Sequence, residues 1–553
     1  MTTKRVYITT AIPYVNARPH LGFALELVQA DALARHRRLR GDEVRLLTGT
    51  DDNSLKNVLA AEAAGLTTAE LVARNATHFA NLHVSLQLAF DDFIRTSTDP
   101  RHQPAVARLW RACAAAGDLY REWYEGLYCV GCEQFYAAEE LDRGRCPEHE
   151  TVPERVAEEN WFFRLTRYQD QLEALITSGR LRILPEFHAR EVLAFVRGGL
   201  QDFSISRSRE RAHGWGIAAP DDPDHVIYVW WDALGNYISA LDYGTRGDAY
   251  QRWWLEAEER VHVIGKGVLR FHAVYWPAML LSAGEPPPTS ILVHEYLTMN
   301  GRKLSKSLGN AVDPEGLAER FGADALRWWL LREVAPAADT DFTIERLAAR
   351  ANSDLANALG NLVNRTVAMV NRYRGGRVPA GGPGQLASRL RRLPADIDAA
   401  LAAFDFRAAA GAVMEAVDAA NRLVNQARPW ELARANRSAE LDAVLAALVY
   451  ACRSVAREIT PFVPDLAARI VRQLGDGGAE VRSADPVQPR LGPAHGGEVR
   501  GPQQAREGTA MPGSAQSSSG SPSKTGPVGS RLAPSPECCS IATVWRRKPA
   551  RSS

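Results

Sequence analysis

Lys303 and Lys306 stand three apart in Lys303-Leu304-Ser305-Lys306-Ser307, in a chain where only seven of the 66 lysine and arginine residues are lysine, at positions 4, 56, 266, 303, 306, 524 and 548. Arginine replaces lysine freely on a solvated surface, so a lysine pair here indicates a need for compact ammonium groups on flexible stems. Asn300-Gly301 precedes the pair and Gly309 follows it. A mobile Gly-rich segment with two ammonium groups can close over a polyphosphate and neutralise the charge that builds as pyrophosphate leaves. Near the other end of the chain, His20-Leu21-Gly22 opens a helical pattern directly after a strand pattern. A helix start offers unsatisfied N–H groups and partial positive charge to phosphate, and His20 can donate to a phosphate oxygen. Gly22 lets a nucleotide approach the backbone. Taken alone, a histidine at a helix start is more often a cap than a ligand.

A second constellation is Cys129-x2-Cys132-x13-Cys146-x2-His149. Three thiolates and an imidazole in two pairs suit tetrahedral zinc with no open position, a site that staples the fold and performs no chemistry. The seven cysteines are odd in number and unevenly placed, which does not describe a disulfide framework.

The elements that must position these residues follow from periodicity. Residues 6–11 form a buried-strand pattern, and a helix follows with Leu21, Leu25, Val28, Ala32 and Leu39 on one stripe and Gly41 placed to stop it. Residues 43–48 make the next strand, and strands at 261–264 and 291–293 flank a helical stretch at 271–282. Short apolar runs alternating with helical patterns describe a parallel sheet covered by helices, interrupted by an insertion at 122–224 that holds the cysteine cluster. From 352 to 474 the pattern becomes Ala- and Leu-rich and helical, an all-helical bundle. Of the 61 residues from 493 to 553, 27 are Gly, Pro or Ser and five are Leu, Ile, Val or Phe, too few to offset ordering entropy, so this tail is expected to be disordered.

Composition excludes several classes. A chain of 553 residues with 46% hydrophobic and 24% charged residues is multidomain and globular. The longest apolar run, 273–281, is far shorter than a membrane span needs, and residues 1–8 lack the apolar stretch of a signal peptide, so a cytoplasmic protein is expected. A net charge of +1 argues against indiscriminate coating of nucleic acid while leaving a local basic surface open.

In this order along the chain, the histidine turn and the lysine pair resemble the HIGH and KMSKS motifs of class I aminoacyl-tRNA synthetases. Within that class the chain resembles the methionyl enzymes over residues 5–491. Supporting stretches are Ala11-Ile12-Pro13-Tyr14-Val15-Asn16, Leu47-Thr48-Gly49-Thr50-Asp51, Tyr228-Val229-Trp230-Trp231-Asp232-Ala233-Leu234, Gly265-Lys266 with Arg270-Phe271-His272, and Leu292-Val293-His294. The resemblance implies an α/β fold: a Rossmann-type parallel-sheet catalytic domain in two halves (1–121 and 225–300) around a zinc-knuckle insertion (122–224). A KMSKS-type loop and stem-contact region (301–351), a helical anticodon-binding domain (352–492) and a tail (493–553) follow.

The resemblance also implies roles. Asn16, His20, Gly22, Lys303, Ser305 and Lys306 bind ATP with its Mg2+, and His20, Lys303 and Lys306 are catalytic. Asp51 receives the methionine ammonium while Ile12, Tyr14, Trp230, Ala233, Leu234, Tyr237 and His294 surround the side chain. Aromatic walls suit a polarizable thioether, although composition alone favours core packing for Trp230, Trp231 and Tyr237. Asn361, Arg365 and Trp430 read the anticodon, residue types that fit unstacked bases. Cys129, Cys132, Cys146 and His149 hold one structural Zn2+. Partners are methionine, ATP and both initiator and elongator tRNA(Met), with no DNA and no membrane. A monomer is the default.

The chain departs from the family pattern in four places. Phe23 replaces the second histidine of the first motif, Asp52-Asn53-Ser54 replaces an acidic residue, His and Gly, Glu295 replaces a common Gly, and Gly267 replaces a common acidic residue. Two other readings stay open on this account: a divergent paralogue with weakened catalysis serving tRNA binding, regulation or inhibitor resistance, and a tRNA-independent nucleotidylyltransferase of the same superfamily.

Overall fold

A computed structural model describes residues 3–492, apart from 131–133, 137, 139–140, 148–150, 305–311, 476–479 and 483–485. The expected tail at 493–553 lies outside the described residues. Among those described, no helix is long and apolar enough to cross a membrane.

The central sheet has six strands: β1 (Arg5–Thr10), β2 (Glu43–Thr50), β3 (Asp92–Arg95), β4 (Arg182–Leu184), β5 (Glu259–Gly265) and β6 (Ser290–His294). Their order is β3-β2-β1-β5-β6-β4 and every pairing is parallel. Both faces are covered, so the strands are near-continuous apolar runs instead of alternating ones. Val6, Tyr7 and Ile8 are all fully buried, with Val6 and Ile8 in one core cluster and Tyr7 in the other.

Helix α1 (Leu21–Leu39) packs beneath the sheet and stops at Gly41, whose φ of +92° a side chain rarely adopts. The core cluster that α1 joins continues without a break into the helical bundle, through Trp328, Leu355, Val413 and Leu448. The opposite face packs against the insertion, where antiparallel strands Leu119–Cys129 and Glu154–Phe163 dominate. One strand from inside that insertion, β4, returns to extend the central sheet beside β6.

The bundle is built on helices Asn361–Arg374, Ala387–Ala402, Phe406–Ala427 and Ser438–Ile459. It is tied to α1 by buried charge. Arg327 is fully buried, pairs with Asp31 of α1 at 2.7 Å and donates to the carbonyls of Leu86, Pro461 and Phe462. At the C-terminal cap of α1, Arg40 reaches Glu458 and Asp398 of the bundle, each at 2.7 Å.

Candidate active site at the carboxyl edge of the sheet

From β1 the chain winds outward through β2 and β3, while β5 and β6 lie on the other side. The crevice outside the carboxyl ends of β1 and β5 is therefore the switch point at which open α/β sheets bind ligands. After β1 the chain is pinned to β5 by Ala11 N donating to Val263 O at 3.2 Å. It then bridges to the end of β2, where Asp51 N donates to Pro13 O at 2.9 Å. Ile12, Tyr14 and Asp51 are thereby brought together on one side of the crevice.

His20 caps α1: its Nδ1 accepts the Gly22 amide at 3.1 Å, which leaves the ring's donor proton on Nε2. The cap and ligand readings of His20 are thus compatible. Gly22 also has a local structural reason. A Cβ there would stand 3.0 Å from the His20 ring, so the glycine makes room for the capping imidazole.

Leu21 N donates to Val312 O at 2.9 Å. Val312 is the first described residue after the lysine segment, and the residue before that segment, Leu304, donates through N to Leu297 O at 2.9 Å. The residues that flank 305–311, Leu304 and Val312, are therefore both anchored, Val312 on the first turn of the histidine helix. Lys303 pairs through its backbone with Thr298, while its side chain, Ser305 and Lys306 lie outside the described residues. Asn16 lies partly buried in the β1–α1 turn.

The aromatic run at 230–237 divides between pocket and core. Trp230 is half-buried, stacks on Phe271 with ring centroids 3.7 Å apart and meets Tyr14 edge-on at 6.3 Å. Trp231 turns the other way, into Trp110 and Phe163. Ala233 and Leu234 are buried, Leu234 within the core cluster. Tyr237 is buried and its hydroxyl is engaged with His272 Nε2 at 2.6 Å. His272 donates from Nδ1 to Val268 O, and burial holds its pKa down at about 4, so the ring is neutral. His262 follows the same logic: Trp276 donates to its Nε2, its Nδ1 donates to Thr9 Oγ1, and burial pushes its pKa well below the usual value.

His294, at the end of β6, lies 3.2 Å from Glu26 Oε2 of α1, and the same oxygen accepts Gly265 N at 3.0 Å. Burial raises the Glu26 carboxyl against the opposing pull of these bonds. Glu26 therefore ties α1, β5 and β6 together directly under the crevice.

The departures from the family pattern have structural explanations. Phe23 packs against Phe79 at 5.3 Å inside the core, on a side of α1 turned toward helix Thr68–Ser85. Asn53 donates to Asp232 Oδ2 at 2.7 Å, and the other oxygen of Asp232 bonds to His102, whose Nδ1 meets Ser239 Oγ. Asp52 is fully buried and held by Arg95 and Ser97, and Ser54 caps the next helix through Lys56 N. Gly267 and Glu295 are neighbours in space: a Cβ at 267 would stand 2.3 Å from Tyr296 Oη, while Glu295 reaches Lys266 at 2.6 Å. Position 295 supplies a carboxylate beside Lys266, and a side chain at 267 would require Tyr296 to move.

Glu26, His102 and Lys56 were assigned no role from sequence, and Asp232 and Lys266 entered only as members of the supporting stretches. For the two lysines a signal existed. Lys56 Nζ lies 5.2 Å from the Tyr14 ring centroid and Lys266 stands at the end of β5, so four of the seven lysines belong to this region by contact or chain position.

Away from the crevice, Asn361 and Arg365 are exposed one turn apart on helix Asn361–Arg374. Trp430 is half-buried at the start of helix Pro429–Arg434, which directly follows Phe406–Ala427. Asn421 of that longer helix donates to Ala358 O at 3.1 Å, which draws the two segments together. In the insertion, Cys129 and Cys146 are both buried in one small cluster with Tyr136. Cys132 and His149 lie outside the described residues, and among the described ones no three metal-ligating side chains converge.

Comparison with known proteins agrees with this geometry. The family described as tRNA synthetases class I (M) matches residues 6–152 and 148–367. A methionine–tRNA ligase from Brucella suis is 40% identical over 515 residues, covering 89% of this chain and 98% of that protein. One from Mycobacterium bovis is 42% identical over 487 residues, covering 85% and 92%. A structure of Mycobacterium tuberculosis methionyl-tRNA synthetase in complex with methionyl-adenylate superimposes with a TM-score of 0.83 at 38% identity, covering 88% of this chain and 100% of that one. With the switch-point crevice, the capped histidine turn and the lysine segment anchored to it, these matches establish that the chain belongs to the class I methionyl-tRNA synthetases.

Proposed function

We propose that this protein activates methionine with ATP to methionyl-adenylate and transfers it to the terminal adenosine of tRNA(Met). In the first step the methionine carboxylate attacks the α-phosphate and pyrophosphate leaves; in the second, a hydroxyl of the terminal adenosine attacks the activated carbonyl. Neither step needs a protein nucleophile, so the residues position reactants and stabilise charge. His20 Nε2–H and the first turn of α1 receive phosphate, and Lys303 and Lys306 neutralise the leaving pyrophosphate. Mg2+ arrives with ATP and shields the polyphosphate. Asp51 takes the methionine ammonium, and Tyr14 and Trp230 offer their rings to the thioether, with Ile12 and His294 beside them.

The observation that carries the reading is the hydrogen bond from Leu21 N to Val312 O, which ties the end of the lysine segment to the phosphate-binding turn. Methionine-dependent exchange of labelled pyrophosphate into ATP tests it, run with and without tRNA(Met). Exchange with charging is expected; no exchange would overturn the enzyme reading, and exchange without charging would overturn the tRNA step.

Asn361, Arg365 and Trp430 are proposed to read the anticodon of initiator and elongator tRNA(Met), with the protein acting as a monomer. The insertion is proposed to hold one structural Zn2+ through Cys129, Cys132, Cys146 and His149. Burial of Cys129 and Cys146 in one cluster supports this, since one candidate ligand from each cysteine pair already lies there. Chelation is expected to lower the melting temperature, and an unchanged melting curve would remove the metal.

A further inference from the structure

Lys266 stands where β5 ends, and its ammonium is clamped between two carboxylates, Glu295 Oε2 and Asp339 Oδ1, each at 2.6 Å. Glu295 is 5% exposed, and its other oxygen meets His188 Nε2 at 2.9 Å. Asp339 belongs to a segment that runs beside the hairpin leading into the lysine pair. Its Oδ1 also accepts Tyr296 N at 3.0 Å, Thr340 N donates to Tyr296 O at 3.0 Å, and Phe342 N donates to Thr298 O at 2.8 Å.

Two residues on, Asp341 Oδ1 accepts Thr298 Oγ1 at 2.9 Å and Gly301 N at 3.1 Å. Gly301 and Asn300, with φ of 73° and 53°, form the tip of the hairpin Leu297–Met299 and Arg302–Lys303. Two carboxylates on one strap therefore hold the hairpin at its root and at its tip. Lys266 is the ion pair through which this strap is bolted to the sheet.

We propose that Lys266, clamped by Glu295 and Asp339, is a positioning residue that fixes the root of the lysine-bearing hairpin to the nucleotide sheet, giving Lys303 and Lys306 a defined pivot from which to reach ATP. The proposal rests on the roles assigned to those two lysines above. Its consequence is selective. Loosening the clamp weakens the ATP-dependent step and leaves the methionine side of the crevice alone, because Tyr14, Asp51 and Trp230 are held by other contacts.

Asp339→Asn and Lys266→Met test it in the full chain. Each is expected to lower kcat/KM for ATP in pyrophosphate exchange by about tenfold or more, with KM for methionine within about threefold of the parent. Lys266→Arg, which keeps the charge, is expected to recover part of the loss. The double variant should be no worse than the poorer single one, as for residues acting as a unit. Trypsin supplies a readout independent of activity: cleavage after Arg302 or Lys303, on the second strand of the hairpin, should be several-fold faster in either variant. ATP parameters like the parent's, ATP and methionine parameters falling together, or an unchanged cleavage rate would each overturn the clamp. Lack of exchange by the parent, with accelerated cleavage in the variants, would instead overturn the enzymatic reading and leave the clamp standing. Should Asp339→Asn not fold, Lys266→Arg and Lys266→Met carry the same comparison.

Discussion

The carboxyl edge of the sheet and the outer face of the helical bundle present polar side chains in opposite ways. At the edge, Glu26, Asp52, Asp232, His272 and Glu295 are each buried and each held by specific partners. On the bundle, Asn361 and Arg365 stand exposed on a helix surface. Chemistry at a small reacting centre gains from dipoles oriented before the substrate arrives, because no reorganisation is then needed at the transition state. Reading flexible RNA bases gains from side chains still free to meet them. The difference predicts that damage at the edge lowers adenylate formation, whereas damage on the bundle face lowers charging alone.

The largest effect is expected where the two regions meet. Arg327→Leu removes one of the two guanidinium partners of Asp31, leaving Arg35, and takes the donor from three buried carbonyls, so a loss on the order of 3 kcal/mol in unfolding free energy is expected by chemical denaturation. A loss under about 1 kcal/mol would mean that sheet and bundle are held by their shared apolar core alone. Next, Lys306→Ala is expected to cut adenylate formation by at least about 100-fold while methionine binding survives; a variant within threefold of the parent would remove the role.

On the other side of the comparison, Trp430→Ala is expected to reduce charging of tRNA(Met) by about tenfold or more with pyrophosphate exchange unchanged. A parallel fall in both would show that the bundle face also supports the crevice.

The smallest effect is thermodynamic and pH-dependent. Burial, assisted by Arg40 and Arg37, lowers His36 to about 4, and burial lowers His272 to about 4. A histidine with a depressed folded pKa takes up protons more readily when unfolded, so its contribution is present above the unfolded value near 6.5 and is lost as pH falls toward 4. Between pH 7 and pH 5 each is expected to withdraw on the order of 1 to 2 kcal/mol. His36→Gln should flatten that slope at the junction with the bundle, and an unchanged slope would assign the loss elsewhere. Glu295 adds nothing in this window. Burial alone would raise it, but bonds from His188 and Lys266 override that and bring it to about 2, so its contribution is lost only between about 4.5 and 2.

Local pattern was sufficient for much of the molecule. The stripe of Leu21, Leu25 and Val28 produced α1, the apolar runs produced β1, β2, β5 and β6 to within a few residues, and the Ala- and Leu-rich stretch produced the bundle. These are elements whose hydrophobic period is set by neighbours along the chain. The two segments proposed to bind phosphate stood out for a similar reason: a helix start and a lysine pair in a lysine-poor chain are local facts.

Other features depended on contacts between distant residues. β4 is three residues long and belongs to the central sheet only because β6 lies beside it. Trp230 and Trp231 are adjacent in sequence, yet one meets the crevice and the other the core, since successive helical side chains point in different directions. Asn53, Asp232 and His102 form one chain of bonds across separations of 179 and 130 residues. Sequence by itself determined which elements form and which residue types could handle phosphate. Tertiary structure alone decided which buried charges find partners, because a carboxylate removed from water is stable only where folding delivers a donor to it.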